Sequence, residues 1–212
     1  MNLPELELQI LYGRLSWGVV LAAVAVWAAT WRGTLPRGGW AAIALAVAAL
    51  PWLPAPWSPA YWLGLAFQAP SGLTTALCAA FLYGRWTGHA GGGTLAPPVA
   101  AMLALAGALL YLDASGWIAQ GLYFMGFGPL GAPAAALAIG ACCAAAVVRG
   151  AAVRTAWAVL AAVALFMLLR LPTGNLWDAV LDPFLWVAAL AVCWRAWRGR
   201  RKRKMEWIGD LR

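Results

Sequence analysis

Residues 130–148 read LGAPAAALAIGACCAAAVV, nineteen residues without one charged side chain. A run of ~20 apolar residues crosses the hydrocarbon core of a bilayer as a helix. Backbone amides there must be satisfied within their own segment, which leaves helix or closed barrel as the choices. A barrel strand alternates apolar and polar residues, and this stretch does not. It therefore predicts a transmembrane helix.

Six further runs of the same kind lie on either side, at about residues 15–31, 40–56, 60–84, 97–112, 152–171 and 183–197. The expected fold is an all-α integral membrane protein, a bundle of about seven transmembrane helices occupying residues 1–198. Residues 199–212 form a polybasic cytoplasmic tail. Composition agrees: 64% of the 212 residues are hydrophobic and 10% are charged, against roughly 25% charged in a soluble domain. Glu5 and Glu7 stand where a signal peptide would be basic, so the first run is expected to be retained rather than cleaved.

The basic residues choose an orientation. Placing the amino terminus outside puts Arg32, Arg37, Arg85, Arg149, Arg154 and the whole tail on the cytoplasmic side, thirteen of the fifteen basic residues. Only Arg14 and Arg170 are left near the outer surface. This is the asymmetry of the positive-inside rule, and it predicts a multi-pass protein of the inner (plasma) membrane. Glu5, Glu7, Asp113, Asp178 and Asp182 then face outward. Many of the fifteen tryptophans stand at run ends, where an indole anchors at headgroup level. Seven basic residues between Arg195 and Lys204 suit anionic lipid headgroups. Charge confined to one juxtamembrane cluster speaks against nucleic acid as a partner.

Two stretches break the pattern. Pro51, Pro54, Pro56 and Pro59 predict a stiff, non-helical link after the second run. Residues 113–129, DASGWIAQGLYFMGFGP, are too apolar for an ordinary loop and too rich in glycine for a span. A short interfacial or re-entrant segment on the outer face is expected there. Gly91–Gly93 beside His89 read as a flexible cytoplasmic loop.

Candidate chemistry gathers in two places. The first is the outer face, with Asp113, Arg170, Asn175, Asp178 and Asp182. If residues 177–181 are helical, i, i+4 spacing puts both carboxylates of DAVLD on one face, a pair able to hold a divalent cation. The structural alternative makes Asp182 a helix cap before Pro183 and pairs Asp178 with Arg170. The second place is the third run, FQAPSGLTTALC, where Gln68, Ser71 and Thr75 flank a Pro70–Gly72 break. Such residues serve as interhelical glue or line a midplane substrate path in a broken helix.

No catalytic set emerges, and neither a cofactor nor a metal is expected. The one histidine, His89, lies in a loop. The four cysteines sit inside apolar runs as small packing residues. The favoured reading is a small transporter, or a membrane subunit of an envelope complex with a membrane-protein partner or a second copy of the chain. The alternative is an enzyme acting on a lipid-linked or phosphate-bearing substrate at the outer leaflet, through Asp113, Asp178, Asp182 and Arg170. The two differ in geometry. The enzyme needs those four side chains converging on an outer pocket, and the transporter needs a deeper one lined by Gln68, Ser71 and Thr75.

Overall fold

The computed structural model describes residues 3–31, 33, 35–88 and 95–209, with side chains to Arg201. Arg32, His89, the Gly91–Gly93 tract, Asp210 and Arg212 lie outside the described residues. Among those described there are ten α-helices and no strand. They are α1 (Leu6–Thr30), α2 (Arg37–Ala49), α3 (Pro59–Phe67), α4 (Gly72–Thr87), α5 (Pro97–Ala114), α6 (Leu122–Met125), α7 (Gly131–Val148), α8 (Val153–Leu169), α9 (Leu176–Val180) and α10 (Pro183–Gly209). Helices α1, α5 and α7 are each long and apolar enough to cross a membrane, and α8 is a shorter apolar helix. Leu45, Leu137, Val148 and Leu168 stand exposed on the helix surfaces, an apolar exterior that water would not tolerate over large areas.

The chain falls into two compact units. The first comprises Met1–Thr94 and Tyr123–Asp182, and the second Leu95–Leu122 and Pro183–Arg212.

Within the first unit, the third apolar run is not one helix. Helix α3 ends at Phe67, Gln68 takes a positive φ of 61°, and α4 begins at Gly72. Pro70 explains the stop, because it lacks an amide donor and disfavours helix in the residue before it. Nine residues of α3 span about 14 Å at 1.5 Å per residue, half the ~30 Å of a hydrocarbon core. The proline-rich link before it holds two 3₁₀ turns, at Leu50–Trp52 and Ala55–Trp57, so the second run is helical only to Ala49.

Two ties fix the direction of α4. The Tyr12 hydroxyl donates to the Pro70 carbonyl at 2.8 Å, and Arg85 Nη2 donates to Thr30 Oγ1 at 2.9 Å. Helices α1 and α4 therefore run parallel, with α2 returning between them. The Thr30–Arg85 end also carries Arg37 against Gly88 and the edge-to-face pair Trp40–Trp86, 6.1 Å between ring centres. Residues 123–126 lock onto the 172–178 stretch. Leu176 N–H donates to Gly126 O at 3.0 Å, and a side chain at Gly126 would collide with Asn175 and Trp177. The segment expected to hold an interfacial helix thus contains one helical turn, with glycines at positive φ before it.

In the second unit, α5 packs on α10. The Trp186 indole donates to Ala104 O at 2.9 Å and meets Tyr111 edge-to-face at 5.2 Å. Helix α10 continues without interruption past Trp197 to Gly209, so the basic tail is the end of a helix. Gly107 gives the indole its seat, since an added Cβ would fall within the Trp186 ring. Gly107→Ala should cost about 1–3 kcal/mol by overpacking. Gly140→Ala, whose Cβ meets nothing within 4 Å, should raise stability by about 0.5–1 kcal/mol. Thermal unfolding of the two variants in detergent checks the pair.

Candidate functional site

The break between α3 and α4 frees backbone groups that a helix would pair, and each needs a partner in apolar surroundings. The Gln68 carbonyl accepts from the Trp17 indole at 2.9 Å. The Pro70 carbonyl accepts from Tyr12, and Ser71 N–H donates to Asp182 Oδ2 at 2.8 Å. Ser71 then caps α4, its Oγ accepting from Thr74 N–H at 3.1 Å, while the Thr75 hydroxyl donates back to Ser71 O at 3.0 Å. Ser71 is completely buried and Asp182 nearly so. These residues are engaged in holding the break closed.

Asp178 is held elsewhere. Its carboxylate accepts from Thr173 Oγ1 at 2.5 Å and from the Tyr123 hydroxyl at 3.0 and 3.1 Å. Burial pushes the Asp178 carboxyl above the usual carboxylate range, and the two donated hydroxyls pull the other way. The buried Asn175 caps α9, accepting from Trp177 N–H at 2.9 Å and donating to Tyr123 O at 3.2 Å. Leu181 is extended after α9, so Asp178 and Asp182 do not share a helical face as the DAVLD spacing suggested. Nor does Asp178 pair with Arg170 among the described residues: the Arg170 guanidinium lies 5.0 Å over the Phe166 ring. No group of three metal-ligating side chains occurs among the described residues. Asp113 belongs to the second unit. Buried near the end of α5, it accepts from Gln120 N–H at 2.8 Å and ties down the following loop.

A cleft of about 710 Å³ opens in the first unit between the start of α1, the proline link, α3, the break and Pro172–Thr173. Leu6, Ile10, Gly13, Trp17, Ala60 and Gly64 supply apolar wall, and Gln9, Arg14, Ser58, Tyr61, Gln68 and Thr173 supply polar groups. Of the sequence-predicted set only Gln68 lines it; Ser71 and Thr75 do not. Reading by residue type missed Arg14, which the sequence showed as one of the two basic residues left near the outer surface. It also missed Tyr61 and Thr173, which carry no signal in the sequence beyond their polarity.

Compared with known proteins, the chain matches no protein-family model, no curated protein and no solved structure.

The Asp178 carboxyl binds its proton more tightly folded than unfolded, so its contribution to stability is full below its unfolded pKa and is lost as pH rises through the folded value. The stability of the wild-type chain relative to Asp178→Asn should therefore be greatest near pH 4 and shrink toward neutral pH. A gap that widens as pH rises would contradict the burial-driven shift. Melting curves of both proteins across that range read it.

Proposed function

We propose that the chain is a small transporter of the cell's inner membrane that binds its solute in the cleft beside the broken third run. The observation that carries this reading is the contrast between that cleft and the carboxylates. Asp178, Asp182 and Asp113 are each bonded to the protein's own groups, whereas the cleft is roomy, mostly apolar and fringed by a few polar side chains, the usual make-up of a small-molecule site. An enzyme of the outer leaflet would need its acid, base or metal ligands available. A membrane subunit would need no cleft at all.

The proposed topology has seven crossings: α1, α2 with its 3₁₀ extension, α3 and α4 together, α5, α7, α8 and α10. The amino terminus is outside and the basic end of α10 inside. The parallel course of α1 and α4 supports it, because both then descend from the outer side toward the end that holds Arg37 and Arg85. At the end of α10, Arg198 and Arg201 lie over the Trp194 and Trp197 rings at 5.2 and 4.4 Å. A helix edge of paired cations and indoles suits anionic headgroups at the cytoplasmic surface.

Gly64 offers a way to block the cleft, since it lines the cavity and a Cβ there meets nothing within 4 Å. In proteoliposomes, uptake of a panel of small amphipathic solutes should be carried by the wild type and abolished by Gly64→Phe, with unchanged melting temperature. Uptake indifferent to Gly64→Phe, or seen for no solute, would remove the proposal. Separately, a single cysteine at the exposed position 120, in a background without the native cysteines, should react with an impermeant maleimide from outside only. Labelling from the cytoplasm would reverse the topology.

A further inference from the structure

The cleft's polar groups divide sharply once their hydrogen bonds are counted. Ser58 Oγ donates to Pro51 O at 3.0 Å, Gln9 Nε2 to Pro4 O at 3.0 Å, and Thr173 Oγ1 to Asp178. The Trp17 indole holds Gln68 O. These groups belong to the fold. Three lining side chains, Arg14, Tyr61 and the Gln68 amide, have no hydrogen-bond or ion-pair partner among the described residues. Among the described residues Arg14 meets only the face of Trp52, 5.9 Å away, and no acidic side chain lines the cavity.

All three can donate. Arginine has five N–H groups in a planar fork and no acceptor, tyrosine has a phenolic O–H, and the glutamine amide has two N–H groups. A cation with no carboxylate beside it, flanked by neutral donors, is matched by an anion of trigonal or tetrahedral oxygens. The rest of the wall, Leu6, Ile10, Trp17, Ala60 and Gly64, has nothing to offer a charge and suits a hydrocarbon body. We infer that the cleft is a binding site for an anionic amphiphile, with a phosphate or carboxylate held by Arg14, Tyr61 and Gln68 and its apolar part laid against α1 and α3. This rests on the transport reading only for the location of the site. The same chemistry is carried by a membrane phospholipid and by a free solute.

The test uses the full chain in nanodiscs of zwitterionic phosphatidylcholine, titrated with hexyl phosphate, inorganic phosphate and hexyltrimethylammonium. Hexyl phosphate should bind saturably and the ammonium should not. Inorganic phosphate should bind more weakly, for want of an apolar body. Arg14→Gln should weaken hexyl phosphate by roughly tenfold or more, the loss of a charge-assisted contact. Arg14→Lys should fall between, keeping the charge without the fork. Tyr61→Phe and Gln68→Ala, on exposed side chains, should each weaken it several-fold, and they serve if Arg14→Gln fails to fold. Competition by phosphatidylglycerol added to the disc marks the lipid as the source of the anion, and no competition marks a free solute. Equal binding of the ammonium, or affinity for hexyl phosphate unchanged in the Arg14, Tyr61 and Gln68 variants, overturns the inference. Solute uptake that Gly64→Phe blocks while the Arg14 variants leave it intact overturns the anion site and spares the transporter. Hexyl phosphate binding without any uptake does the reverse.

Discussion

A chain that stops a helix in apolar surroundings must find partners for the amides it frees, and the first unit is organised around that requirement. At Gln68, Pro70 and Ser71 the partners come from far along the sequence: Trp17 and Tyr12 on α1, and Asp182 beyond α9. Leaving any one of them unpaired would cost about 1–3 kcal/mol. That cost ties α1, the break and the end of the 170–182 stretch into one structure. Once the break is pinned, α3 is held against Trp17 and Val20 through Ala60. The space between α3 and the start of α1 then stays open as the cleft.

Helical class, the long apolar helices α1, α5 and α7 and the interruption at Pro70 were legible in the sequence, because each is a local property. Nineteen uncharged residues at 130–148 have few alternatives to a helix, and a proline before a serine–glycine pair stops one. The content of the site was not legible, for the opposite reason. Asp178, Asp182 and Ser71 ranked as candidates because polar side chains in an apolar chain are costly and so attract suspicion. Part of what satisfies them lies 55 and 111 residues away, and spacing cannot reveal that. DAVLD illustrates the limit. Its i, i+4 pattern promises a shared face only while the helix continues, and α9 ends two residues before the second carboxylate. Arg170 fared similarly, since its expected acidic partner prefers two hydroxyls and the guanidinium settles on Phe166.

Polar groups engaged by the fold and polar groups left available therefore matter more here than polar groups as such. Asp178 and Asp182 fall into the first class, and Arg14, Tyr61 and the Gln68 amide into the second. An arginine near the end of an apolar helix ordinarily snorkels toward water or finds an acid. Arg14 does neither completely: it is half-buried, faces the Trp52 ring, and opens on a cavity without an acid. Among the described residues its charge meets only the Trp52 ring, so in the proposed site part of its solvation comes from whatever enters the cleft. An anion that enters recovers that solvation, and an apolar body that follows it removes wall surface from water or from lipid headgroups. The same unpaired cation repels a positively charged solute. In the proposed site, selectivity for the sign of the ligand thus follows from Asp178 and Asp182 being committed to the fold, while no acidic side chain among the described residues lines the cavity beside Arg14.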